Sequence, residues 1–158
     1  MSPRAACRLD TLGFPEVYDY VPGKADWRAH GLPVEGEHAD LPTAGGLARD
    51  NVVTCRLDDP VGPIRERVNG SPYGFALVTT EDGILLGRLR GSVMKDAQAE
   101  GTAEALMEPG PSTVRADTLA TELATRLAER HLRTAIVSTP EGRLIGVVKR
   151  TDLEGALT

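Results

Sequence analysis

Two cations, a hydroxyl and a carboxylate follow one another at Lys149-Arg150-Thr151-Asp152, directly after the apolar run Leu144-Ile145-Gly146-Val147-Val148. An ionised carboxylate has paired lone pairs that can accept from both hydroxyls of a vicinal diol, and cations beside a helix N-terminus favour a phosphate. Thr151 and Asp152 are equally the residue types that cap a helix, so a ligand site and a plain helix start both fit. Arg133 and Arg115 add cations for a phosphate, although Arg115 suits a solvent face as well. Other constellations offer less. His30, His38 and His131 lack a second ligand at metal spacing. Gly45-Gly46 has no Lys-Ser/Thr after it at phosphate-loop spacing. Glu16, Asp19 and Asp26 form no acid/base pair.

Placing such a site requires a fold, and 158 residues suffice for one compact domain or two small lobes sharing a core. A hydrophobic share of 41% against 26% charged residues belongs to a globular chain. The net charge of -5 and pI near 5.2 provide no broad basic field for nucleic acid or anionic lipid. The N-terminus has no apolar signal core and no run reaches the ~18 apolar residues of a membrane span, so a cytoplasmic location is expected. Cys7 and Cys55 stand alone in sequence and are read as reduced, unpaired thiols.

An internal repeat supplies the fold. Residues Thr54 to Gly87 match Thr113 to Gly146 at a constant offset of 59 without a gap. Thr54, Arg56 and Asp58 fall on Thr113, Arg115 and Asp117; Ala76, Val78 and Thr80 on Ala135, Val137 and Thr139; Gly83, Leu85 and Gly87 on Gly142, Leu144 and Gly146. Each copy opens with a short extended piece ending in an Asp suited to capping a helix. Leu119, Leu123, Leu127 and Ala128 then recur at helical spacing, while Asn69-Gly70-Ser71-Pro72 ends the first copy's helix early. Two β-rich runs follow around Glu81-Asp82-Gly83 or Pro140-Glu141-Gly142, and a polar step leads into a short helix. One such unit cannot cover its own apolar sheet face, so the two should pack sheet against sheet.

This order of elements, with the stretch "TAIVSTPEGRLIGVVKRTDL", resembles the cystathionine β-synthase-type (CBS) domain, and the duplication resembles a CBS pair. The resemblance implies an α/β fold of α+β type: tandem β-α-β-β-α units packed about a pseudo-two-fold axis, with two clefts where they meet. It further implies an adenosine-containing ligand, with Asp152 on the ribose hydroxyls, Thr151 beside it, and adenine against Ala135-Ile136-Val137 and Ser112-Thr113-Val114. Arg133 and Lys149 would approach the phosphates. Lys149 departs from the family, which usually has a hydroxyl residue three positions before the Asp. The first unit departs further, with Arg90, Ser92 and Val93 at the positions of Lys149, Thr151 and Asp152. Valine cannot hold a diol, so one ligand per chain is expected.

The first residues carry a second resemblance. Val17 to Val21 reads as a strand, followed by a Pro-Gly turn, a helical piece through Ala25-Asp26-Trp27 and the stop Gly31-Leu32-Pro33. This order is similar to the last quarter of a rhodanese-like domain without its active-site cysteine loop. The expected organisation is therefore a rhodanese-like remnant at 1–33, a linker or strap at 34–49, CBS domain 1 at 50–98 and CBS domain 2 at 105–158. Trp27, Tyr18 and Tyr20 should dock on the pair or on a dimer partner. The expected function is a non-catalytic regulatory module for AMP, ADP, ATP or S-adenosylmethionine, without a catalytic cofactor or metal and working as a homodimer on an unknown protein partner. A ligand-free dimerisation module is the alternative, and sulfur transfer through Cys7 the last.

Overall fold

The computed structural model describes residues 2–36 and 39–157, so His38 lies outside the described residues. The chain runs α1 (Ser2–Thr11), α2 (Gly23–Ala29) and α3 (Ala44–Leu47) before the first unit of β1 (Val53–Cys55), α4 (Val61–Asn69), β2 (Phe75–Thr79), β3 (Leu85–Arg90) and α5 (Gly91–Lys95). After α6 (Ala103–Leu106) and β4 (Glu108–Pro109), the second unit repeats the order with β5 (Thr113–Arg115), α7 (Ala120–Glu129), β6 (Thr134–Ser138), β7 (Leu144–Lys149) and α8 (Arg150–Ala156). The architecture is mixed α/β with two sheets, β1-β2-β3-β4 and β5-β6-β7.

The two units share more than their order. In each, the first strand pairs parallel with the second, the second pairs antiparallel with the third, and a bulge falls at Val78/Thr79 or Val137/Ser138. The bulge residues are related by the same offset of 59 as the sequence repeat. Gly83 and Gly142 turn the hairpins at φ of 79° and 85°, a backbone region that favours glycine. Each unit has its own core beneath its helices, with Ile64, Leu89 and Met94 in one and Leu123, Leu127 and Leu153 in the other. A third cluster, Val52, Phe75, Leu77, Ile136 and Val147, joins the two sheets. Beside it, the Leu85 N–H donates to the Gly142 carbonyl and the Leu144 N–H to the Gly83 carbonyl, both at 2.9 Å. These bonds exchange under the offset, so the pseudo-two-fold axis passes between the hairpins at the Ile84–Arg143 bridge.

The segment that leads into each unit docks on the other unit. Ala44, on α3, is fully buried in the second unit's core, and Ala103, on α6, in the first unit's. The Ala44 N–H donates to the Thr118 carbonyl at 2.8 Å, and the Ala103 N–H to the Asp59 carbonyl at 3.0 Å. Arg49 then exchanges both backbone hydrogen bonds with Val147, each 2.9 Å, as Glu108 pairs with Arg88 on the first sheet. The repeat therefore extends back to Thr43-Ala44 and Thr102-Ala103, beyond the stretch where the sequence match is obvious.

Several local expectations are corrected. Residues Val17 to Val21 form no strand; Tyr18 and Val21 are each 86% exposed, and among the described residues no strand pairs with them to hydrogen-bond their backbone. The rhodanese-like order is thereby broken, and a ten-residue helix, α1, precedes it. Tyr20 and Trp27 pack edge to face at 5.0 Å, the Tyr20 hydroxyl donates to Asp26 and the Trp27 indole to the Pro33 carbonyl. Tyr20 and Trp27 therefore satisfy one another, and Tyr18 does not dock on the pair, although Ala29 of α2 packs against the second unit's core. Asp58 and Asp117 do not cap α4 and α7, whose N-cap positions are Pro60 and Leu119.

The exchanged backbone bridge explains Gly146. A Cβ on it would lie 2.5 Å from the Arg49 carbonyl oxygen, which is backbone and cannot yield, whereas the clash at Gly87 is chiefly with the flexible end of Met107. Gly146→Ala should therefore destabilise the protein by about 1–3 kcal/mol in chemical denaturation, and Gly87→Ala by less.

Candidate functional site

Lys149 holds the N-cap position of α8 with β-region dihedrals, and its side chain makes no cap hydrogen bond. Thr151 and Asp152 thus lie inside the first turn and do not form the cap pair their residue types allowed. Asp152 still favours the helix dipole from there. Its carboxylate accepts from the Arg49 Nε at 3.1 Å, with the two side chains 25% and 61% exposed. The bridge to Val147 fixes the Arg49 backbone, so the segment crossing from the first unit delivers this cation to the second unit's acid.

Beside this pair lies a cleft of about 350 Å³ bounded by Tyr73 of the first unit and by Arg133, Lys149, Arg150 and Thr151 of the second. The Lys149 ammonium stands 5.1 Å from the centre of the Tyr73 ring, and the Tyr73 hydroxyl donates to Asn51 at 2.8 Å. Partial burial raises the Tyr73 pKa; Arg49 opposes that shift while Asp152 and Asp50 add to it, so all three charges sense the phenol. Arg150 is occupied by Glu154 at 3.2 Å. The cleft thus joins an aromatic ring and two cations, Lys149 and Arg133, while Asp152 lines an adjoining depression with Ala48 and Arg49 that shares Thr151 with it.

The remaining expected residues lie elsewhere. Thr113, Val114, Ala135 and Ile136 line a different cleft, about 250 Å³, shared with Arg88 of the first unit. Val137 is fully buried in the second unit's core and reaches neither cleft. The cause is the two-fold packing, which brings the helix start of the second unit beside the segment that leads into the first, so Asp152 meets Arg49 and its charge is felt at Tyr73, while β5 and β6 line the other cleft. Sequence reasoning missed Arg49, Asn51 and Tyr73. The repeat held the signal, since the offset sets Tyr73 and Phe75 on Leu132 and Thr134.

In the first unit, Val93 is 39% exposed at the position of Asp152. Arg88 and Arg90 hold Glu108 at 2.8 and 2.7 Å, which keeps that carboxyl below its ordinary pKa, the Arg88 hydrogen bond first. Arg115 turns to Asp117 at 3.4 Å. Among the described residues, no group of three or more His, Cys, Asp or Glu comes together to hold a metal, and no helix is long and apolar enough to cross a membrane. Both cysteines are free thiols; burial pushes Cys55 up to about 11, while Cys7 is exposed on α1.

Residues 103–158 match the CBS domain family, and a search of curated proteins gives no match. The chain has the tandem CBS fold. It superposes on the cytosolic domain of the Mg2+ channel MgtE in complex with ATP at 27% identity and a TM-score of 0.64, covering 74% of this chain and 50% of that one. CBSX2 in complex with AMP is 21% identical with a TM-score of 0.63, covering 73% and 95%. The CBS domains of a Streptococcus pneumoniae transcriptional regulator are 19% identical with a TM-score of 0.65, covering 73% and 99%. The chain spans about half the length of the MgtE cytosolic-domain chain and of the soluble part of a magnesium transporter.

An ion pair as exposed as Arg49–Asp152 is worth at most about 1 kcal/mol. Arg49→Ala should therefore lower stability by no more than that in a denaturant titration, which would leave Asp152 free for a ligand.

Proposed function

We propose that this CBS pair is a non-catalytic regulatory module that binds one adenosine-containing nucleotide, AMP, ADP, ATP or S-adenosylmethionine, in the cleft of Asp152. The observation that carries the reading is that Lys149 and Tyr73 meet across the unit boundary in a cleft that adjoins Asp152 through Thr151, at a place where the first unit's equivalent of the acid is Val93. Asp152 exchanges its weak pairing with Arg49 for the ribose hydroxyls. The released guanidinium, with Lys149 and Arg133, meets the phosphates, and the purine stacks on the Tyr73 ring. That MgtE and CBSX2 were crystallised with ATP and AMP supports the ligand class. A ligand held by both units favours one relative orientation of them, which is the signal.

A cytoplasmic homodimer acting on another protein completes the proposal. The second reading is a ligand-free dimerisation module, favoured by the fact that Arg49 already pairs with Asp152 and Lys149 with Tyr73. Residual sulfur transfer ranks last, and a thiosulfate-to-cyanide assay no different from a Cys7→Ser control disposes of it.

Thermal shift and calorimetry against the four nucleotides distinguish the two leading readings. A true ligand at 100 times its Kd stabilises by about 2.7 kcal/mol. Asp152→Ala should weaken binding by about 2–3 kcal/mol, with Val93→Ala unchanged. No shift with any nucleotide leaves the ligand-free reading standing, and equal effects of the two substitutions contradict a single Asp152 site.

A further inference from the structure

The other cleft has a different chemistry. At the start of β2, the side chains of Tyr73, Phe75 and Leu77 fill the space beside the sheet, Phe75 and Leu77 being buried. Their counterparts at the offset of 59, Leu132, Thr134 and Ile136, are smaller at the first two positions. These three residues line a cavity of about 250 Å³ with residues of β5 and α7. Its walls are apolar, from Val114, Leu123, Leu127 and Ile136, and Leu132 stays 47% exposed at its edge.

Three arginines, Arg88, Arg126 and Arg130, line the same cavity. Glu108 holds Arg88 at 2.8 Å and Glu122 holds Arg126 at 2.6 Å, while the Arg130 side chain has no partner among the described residues. An unpaired guanidinium presents a planar fork of donors that a carboxylate can meet with two parallel hydrogen bonds. No carboxylate lines this cavity to receive a ribose diol. The cavity is also smaller than the roughly 300–1,000 Å³ of pockets that enclose drug-sized ligands.

We propose that this cleft binds a small planar apolar anion without a ribose, an aromatic carboxylate in class. The ring enters between the β5–β6 surface and α7, and the carboxylate pairs with Arg130. This site is independent of the nucleotide reading: a vacant Asp152 cleft would leave it intact, and a filled one would not create it.

The test uses the full chain, with 2-naphthoate as probe and 2-naphthamide as its neutral counterpart, in calorimetry and amide chemical-shift titrations. The carboxylate should bind about tenfold more tightly than the amide, with shifts centred on β5, β6 and α7, and saturating ATP should not displace it. Thr134→Phe, which copies the first unit's residue into the cavity, should abolish binding. Arg130→Gln should bring the two probes within about twofold of each other, and it carries the test if Thr134→Phe does not fold. Absence of binding at millimolar probe, equal binding of acid and amide by the unaltered protein, or binding undiminished by Thr134→Phe would each overturn the proposal.

Discussion

The structure depends on the contact between the two hairpins. The reciprocal backbone bonds Leu85–Gly142 and Leu144–Gly83 and the shared cluster of Val52, Phe75, Leu77, Ile136 and Val147 hold sheet against sheet. A three- or four-stranded sheet with a helix pair covering one face leaves its other face apolar, and a second unit of the same shape is the covering available. The two-fold relation follows from using the same residues twice. Both clefts follow from it as well, because each lies where residues of one unit meet those of the other.

The exchanged leaders reinforce that arrangement. Because α3 lies on the second unit and α6 on the first, the units cannot separate without uncovering Ala44 and Ala103 and breaking the Arg49–Val147 and Arg88–Glu108 pairings. The same exchange brings Arg49 to Asp152 and Glu108 to Arg88 and Arg90. Equivalent backbone positions thus carry opposite charges: Arg49 meets an acid on one unit, and Glu108 meets two cations on the other. Built on one symmetric frame, the clefts differ through a few side chains, chiefly Asp152 against Val93, Tyr73 against Leu132 and Phe75 against Thr134.

Much of this frame was legible in the sequence, since gapless repetition from Thr54 to Gly87 preserves strand alternation, turn glycines and helix spacing together. The exchanged leaders were not, as α3 and α6 are four residues each and too short for periodicity to mark. Asp152, Thr151 and Lys149 could be picked out locally, but the residues facing them could not. A sequence repeat does not say which unit's helix meets which unit's strands, and so Ala135, Ile136, Thr113 and Val114 were grouped with an acid they do not face. The strand read at Val17–Val21 failed for a related reason: its pattern suits a sheet, but no strand lies beside it to accept its hydrogen bonds.

The central claim is that one symmetric frame carries two chemically distinct clefts, with nucleotide recognition confined to that of Asp152. Amide chemical-shift mapping of the isotopically labelled full chain during titration with ATP tests it most directly. The account predicts saturable shifts concentrated at Arg49, Asn51, Tyr73 and Lys149 through Asp152, with Gly91 to Met94 unmoved at one equivalent. Comparable shifts at both helix starts, or shifts at Gly91 to Met94 alone, would contradict it.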